Sequence, residues 1–233
     1  WSRSREEMGY KKILKPILMY SFTGKPYIDL RLSFNSLIPK YLKGNLAKKI
    51  TSYWIEKLIR EPFKHDKIEF EVTENCFYFG QKDKINKEYK FLTKKEKSLF
   101  YDSLKNLTCK IIKNYKLDFN KMNKEIIQLE SFRVKTIKEY LSIKKNEIEI
   151  SNILLNKCRK LGIKAFAKQA RNAFIAKKIL LSLVKEKILK KKTYYKMLNN
   201  LNTISHEYIT DKKKIEKNLI KNSSFIKKYF HLR

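Results

Sequence analysis

The sequence predicts a mainly α-helical protein with a small α+β part at its N-terminal end. Three observations carry that prediction. Two short stretches, at about 27–34 and 67–74, alternate apolar and polar residues with the period of a strand. Both precede residue 90, and from Thr93 onward the apolar residues recur at helical spacing instead. Hydrophobic residues make up 42% of the 233, enough for a packed core and too many for a disordered chain.

In the first stretch Ile28, Leu30, Leu32 and Phe34 point one way, and Asp29, Arg31 and Ser33 the other. In KIEFEVT, Ile68, Phe70 and Val72 oppose Lys67, Glu69, Glu71 and Thr73. Each reads as a half-buried strand of a few-stranded sheet packed on a helical bundle. The segment between them, running to Pro62, reads as helix capped by Asn35 or Ser36, with Gly44 separating a short first turn from a longer second part. Thr-Lys-Lys-Glu at 93–96 is a capping box that opens the next helix. Further helices are expected at roughly 120–142, 146–161, 163–187, 192–209 and 212–228, broken at Gly162 and at the Lys190–Lys192 run. Without an internal repeat or low-complexity linker, 1–233 reads as a single unit, with 1–90 its α+β part and 91–233 its bundle. The chain begins at Trp1 and stops at His-Leu-Arg, so a central fragment of a longer protein is expected.

The formal charge is +32, which raises nucleic-acid binding as one reading. Only eight of the 55 basic residues are Arg, however, and the lysines run through every segment without forming one basic arm. Nucleic-acid surfaces favour the planar guanidinium fork, so the charge is better read as a compositional bias toward Lys, and a dedicated nucleic-acid module is the rival reading. The longest apolar run, AFIAKKILLSLV, is interrupted by Lys177 and Lys178, so no membrane span is expected. Cys76, Cys109 and Cys158 lie more than thirty residues apart, form no C-x-x-C pair and are not near His65, His206 or His231 in sequence. That excludes a recognisable zinc site or disulfide framework, and fits reduced thiols in the cytoplasm.

The five glycines are isolated, so no Gly-rich loop is present to cradle nucleotide phosphates, and no local hydrolase or metalloprotease motif occurs. Three constellations remain. If the two strands are neighbours, Asp29, Arg31, Ser33 and Asn35 face Glu69 and Glu71, offering a guanidinium for a carboxylate and carboxylates for an amine. The alternative is an ordinary outer face with cross-strand ion pairs. In KAFAKQARNAFIAKK, Lys164, Lys168, Arg171 and Lys178 form a basic stripe opposite small alanines, either a solvated face or an anion-binding one. His231 and Arg233 close the chain, and acquire a role only if it continues.

The runs PYIDLRLSFNSLIP, HDKIEFEV, AFAKQARNAFIAKK, LNTIS and FHLR, in this order, resemble the central region of phosphoenolpyruvate-synthase-like enzymes of bacterial surface-polysaccharide gene clusters, and within them the L-glutamine kinases of capsule phosphoramidate biosynthesis. The resemblance covers almost the whole chain; R-x-S-F-N-S is its most specific block. It implies an ATP-grasp domain before this region and a swivelling phosphohistidine domain after it, with ATP and Mg²⁺ bound in the parent enzyme and not here. It also implies phosphorylation of a histidine by ATP, releasing AMP and phosphate, then transfer to the amide nitrogen of L-glutamine. No catalytic residue carries over, since none of the three histidines matches the phosphorylated one. Arg31, Ser33, Asn35, Glu69 and Glu71 fall in matching blocks and become expected substrate-binding residues together with Asp29. Lys168, Arg171, His231 and Arg233 become expected interdomain or anion-binding residues. A related kinase with another acceptor is the alternative.

Overall fold

The computed structural model describes residues 2–14, 17–42, 44–143, 146–201 and 203–230. The chain is 74% helical, and its described strands form one two-stranded antiparallel sheet near the N-terminus, as the mainly α class with a small α+β part requires. Contacts divide it into two compact units, Trp1–Ser182 and Leu183–Arg233.

The first unit opens with helix α1 (Ser2–Glu7), after which Gly9 turns the chain at φ 104°. That turn sends Tyr10 into the core, where it bridges Pro39. Strands β1 (Met19–Phe22) and β2 (Lys25–Ile28) form a hairpin with Met19 opposite Ile28 and Phe22 opposite Lys25. Its two-residue turn, Thr23-Gly24, has both residues at positive φ (50° and 78°), which matches the right-handed twist of the strands.

The strand expected over 27–34 therefore ends at Ile28. Asp29 accepts the Leu32 N–H at 2.8 Å and caps a short helix, α2 (Leu30–Asn35). Leu30 and Phe34 share a face in either conformation, because the spacing i, i+4 belongs to both periods; the Asp29 cap decides for helix. The strand expected over 67–74 is likewise absent. Ile68–Val72 form one π-helical turn, closed by the Thr73 N–H on the Ile68 carbonyl at 3.0 Å. Side chains reinforce the turn: Thr73 Oγ1 also donates to Ile68 O (3.2 Å), and Asn75 Nδ2 donates to Glu69 O (3.0 Å).

Helix α3 (Gly44–Arg60) buries Ala47, Ile50, Trp54 and Leu58 and stops before Pro62. Trp54 packs with Phe34, Ile85, Tyr89 and Phe100 in the main core, and its Nε1 donates to Tyr89 Oη at 2.9 Å. Helix α4 (Gln81–Glu88) supplies Ile85 to that core. The capping box forms as expected: Glu96 N donates to Thr93 Oγ1 (3.2 Å) and Thr93 N to Glu96 Oε2 (2.9 Å).

The helix it opens, α5 (Lys94–Ile143), runs unbroken for 50 residues, and α6 (Glu147–Lys185) for 39. They run antiparallel. Lys164 pairs with Glu125, Lys157 lies over the Phe132 ring, and Tyr140 donates to Glu147, so positions rise on one helix as they fall on the other. Gly162 does not break α6. A Cβ there would stand 3.1 Å from Leu129 and 3.3 Å from Cys158, so the glycine serves close helix approach.

The second unit contains α7 (Lys191–Asn199), α8 (Ile204–Glu216) and α9 (Asn222–Tyr229). The expected helix over 192–209 divides because Thr203 caps α8, accepting from His206 N at 3.2 Å. The expected helix over 212–228 divides at Asn218, whose positive φ of 56° lets Leu219 N reach back to Lys214 O at 2.8 Å. Tyr208, Phe225 and Tyr229 pack ring against ring, and Asp211 binds Lys228 and Tyr229, which hold its carboxyl at about 2.

Gly9 carries the sharpest local constraint, since an added Cβ would lie 2.9 Å from Leu107 Cδ1 at a φ that other residues rarely adopt. Gly9→Ala should lower stability by about 1–3 kcal/mol, measured as a lower midpoint in urea with unchanged slope.

Candidate functional site

The first unit buries more charge than a stable core ordinarily tolerates. Arg171 is 3% exposed, Lys168 5%, Arg5 8% and Lys178 9%, so each must find compensation inside the protein. Three of them project from the face of α6 that the sequence marks as a basic stripe.

Arg171 is the centre. Its Nε donates to Tyr10 Oη (2.9 Å), Nη2 to Asn75 Oδ1 (2.5 Å), and Nη1 to Glu69. The other oxygen of Glu69 accepts from Arg5 Nη2 at 2.8 Å, and Arg5 Nη1 donates to Ser36 Oγ at 2.6 Å. One carboxylate thus bridges two guanidiniums. Burial pushes the Tyr10 hydroxyl up to about 12, so it stays a neutral donor to the Asn75 carbonyl at 2.9 Å.

A second knot lies further along the same extended segment. Glu74, 2% exposed, meets Lys84 at 2.7 Å, Gln81 at 3.0 Å and Lys178 at 3.5 Å. Burial alone would raise its carboxyl, but the charges of Lys178 and Lys84 outweigh that and hold it at about 2. Lys178 also donates to the Thr73 carbonyl at 3.1 Å. Lys168 pairs with Glu7, which Lys164 meets at 3.1 Å. The basic stripe is therefore neither solvated nor open to an outside anion along this length: it is matched by Glu7, Glu69 and Glu74.

Beside the first knot is a cavity of about 430 Å³. Leu18, Met19 and Ile28 of the hairpin form one wall, and Ile68, Phe70 and Phe174 another, with Phe70 and Phe174 edge-to-face at 5.0 Å. Arg5, Glu69, Ser33 and Asp66 supply its polar groups. A larger apolar groove of about 570 Å³, between α5 and α6 around Tyr115 and Ala176, has no charged side chain in its lining. Convergent polar groups in an apolar cavity mark a ligand site better than volume does, so the smaller cavity is the candidate.

Of the residues expected to bind substrate, Ser33 and Glu69 reach this cavity and the others do not. Asp29 caps α2. Arg31 is exposed, and its carbonyl accepts from Asn35 Nδ2 at 2.9 Å. Asn35 Oδ1 also meets Lys11 Nζ at 3.3 Å. Glu71 points away from Glu69, toward Lys64 (3.8 Å) and Lys67 (3.9 Å), because a π turn does not place i and i+2 on one face. Lys168 and Arg171 have the internal partners described above. His231 and Arg233 lie outside the described residues. Sequence reasoning missed Arg5, Tyr10, Asp66, Glu74 and Asn75. Arg5, Tyr10 and Asn75 stand in no patterned segment and Asp66 and Glu74 only at the edges of one, and only the fold brings α1 against the 66–76 segment.

Comparison with known protein families, curated proteins and solved structures returned no match. Among the described residues no three His, Cys, Asp or Glu gather to hold a metal ion. No helix among the described residues is long and apolar enough to cross a membrane.

Two predictions test the knots. Glu69→Ala strands two buried guanidiniums and should cost roughly 3–5 kcal/mol, read from urea unfolding. Glu74 has a folded pKa below its unfolded one, so its contribution is complete above about pH 4.5 and lost as pH falls toward 2. The wild type should lose on the order of 3 kcal/mol across that window from this group. Glu74→Gln should be less stable at pH 7 and show a shallower acid slope.

Proposed function

We propose that this chain is the acceptor-binding and interdomain part of an ATP-dependent phosphotransferase. In that reading the parent enzyme phosphorylates L-glutamine on its side-chain amide nitrogen through a phosphohistidine, giving AMP and phosphate, for capsule phosphoramidate synthesis. One observation supports it above others. Three separated blocks of the resemblance each send a side chain to the same cavity: Ser33 from RLSFNS, Glu69 and Phe70 from KIEFEV, and Phe174 from the alanine-rich helix.

The partners in this reading are the parent's own ATP-grasp and phosphohistidine domains, in the cytoplasm, and ATP with Mg²⁺ belongs to the former. This chain's residues then hold the acceptor rather than react with it. Leu18, Met19 and Ile28 form one side of the cavity, while its polar groups fix the bound molecule's direction. Phosphoryl transfer gains most of its rate from alignment and charge stabilisation, so a part without catalytic side chains has a complete role.

Titration of L-glutamine into the full chain, followed by NMR, should give saturable shifts at Phe70, Phe174 and Met19, with no AMP formed from added ATP. Arg31→Ala should leave those shifts unchanged, since Arg31 does not line the cavity. Absence of saturation, or shifts centred elsewhere, overturns the acceptor site. A flanking reading frame without ATP-grasp and phosphohistidine patterns overturns the domain context.

A further inference from the structure

The second unit presents an apolar cleft of about 790 Å³ between α8 and α9. Its floor is the cluster of Tyr208, Phe225 and Tyr229, which pack ring against ring. Ile204, Ile209 and Ile226 line it and are 54–60% exposed, and no charged side chain enters the lining. Large apolar side chains gathered on a surface mark a place that another molecule covers.

The charge beside the cleft distinguishes the occupants. Lys212 and Lys213 follow Tyr208 and Ile209 by four residues on α8, so they continue the lining face by one turn, and Lys227 adjoins Ile226 on α9. All three are exposed and without a carboxylate partner among the described residues. Residues 204–229 hold seven lysines and three carboxylates, and two of those carboxylates, Glu207 and Asp211, are already held by Lys228, Asp211 by Lys214 as well. The rim therefore carries positive charge that its own helices do not balance. A second copy would bring the same charge and be repelled. An anionic bilayer receives an amphipathic helix along a convex stripe, whereas these apolar residues line a concavity between two helices. A concavity of this kind takes the apolar ridge of a third helix.

We infer that the α8–α9 cleft is the docking site for an acidic amphipathic helix of a partner protein. The apolar stripe of that helix lies over the Tyr208–Phe225–Tyr229 floor, and its carboxylates stand against Lys212, Lys213 and Lys227. The inference is independent of the first unit's cavity and of the phosphotransferase reading.

The probe is a fluorescein-labelled peptide of about two heptads, with Leu along one helical face and Glu elsewhere. Its controls are an isomer with the same residues scrambled off that face, and a version with Lys in place of Glu. By fluorescence anisotropy at physiological salt, the full chain should bind the acidic amphipathic peptide about tenfold or more tighter than either control. Ile209→Ser and Ile226→Ser, both at exposed positions, should each weaken it by roughly tenfold, as loss of a buried aliphatic side chain does. Ile127→Ser, on the exposed face of α5, should leave binding unchanged. Lys212→Gln combined with Lys213→Gln should weaken binding and flatten its salt dependence.

Equal binding of the scrambled isomer, or indifference to Ile209→Ser and Ile226→Ser, reduces the attraction to charge alone and overturns the inference. No binding of the peptide overturns it as well. Vesicles of equal parts phosphatidylcholine and phosphatidylglycerol that bind the chain through Ile226, with the peptide ignored, assign the cleft to a membrane instead. Sedimentation of the chain as a dimer that Ile226→Ser dissociates assigns it to a second copy.

Discussion

The segments around residues 5–10 and 66–76 of the first unit are arranged around one buried guanidinium. Arg171 stands on the inner face of α6, and its five N–H groups cannot be left in an apolar interior. The segment 66–76 is bent to meet that need. Its π turn points Glu69 inward, and the extended stretch after it turns both Asn75 oxygens toward the same guanidinium. Tyr10 completes the set, and it reaches the site because Gly9 reverses the chain after α1. An irregular, buried backbone segment is normally costly, because its polar groups lose water. Here the Asn75 amide and the ammonium of Lys178 take up the Glu69 and Thr73 carbonyls, and Thr73 Oγ1 adds a second donor to the Ile68 carbonyl that closes the π turn.

The cavity is a consequence of the same arrangement. Glu69 turned toward Arg171 brings Arg5, and with it α1, against the π turn. Phe70, next in sequence, is then directed to Phe174, one turn along from Arg171 on α6. The hairpin ends at Asp29, whose cap starts α2 and sets Ser33 and Ser36 on the side that meets Arg5. Ionic core and cavity wall therefore share residues, and a substitution at Glu69 alters both at once. Ile28 and Met19 belong to the wall alone, which is why the wall can be changed separately.

The helices were legible in the sequence because amphipathic period and capping chemistry agree. Thr93 and Glu96 form the capping box their spacing announces, and Pro62 stands where α3 has stopped. Gly162 and the strand-like stretches misled for one shared reason: a local rule met a tertiary constraint. Glycine in a helix weakens it, but beside Leu129 a side chain would crowd the neighbouring helix. Alternation at Leu30, Leu32 and Phe34 fits a strand, yet one capping carboxylate suffices to turn it into helix. Alternation in KIEFEV was overridden by Glu69, whose ion pairs with two arginines outweigh any β preference of a short polar segment. Of the site, the sequence showed Ser33 and Glu69 as polar residues worth attention. Arg5 was hidden, because nothing in α1 distinguishes it from Arg3 until the fold packs one of them inward.

The composition makes the choice of arginine at these positions informative. Lysine supplies most of the positive charge of the chain, and elsewhere on α6 it serves well enough: Lys168 meets the exposed Glu7 and Lys178 the buried Glu74, each with one ammonium. Arg171 must address the Tyr10 hydroxyl, a Glu69 oxygen and the Asn75 side chain from one plane. Arg5 must span Ser36 and Glu69 in the same way. Three tetrahedral donors on a flexible stem cannot cover such a fan, whereas a guanidinium holds its donors in a fixed fork. Arginine thus stands where direction decides, and lysine where charge alone is enough. That distinction separates the two guanidiniums of the cavity and its support from the many cations that merely cover the surface.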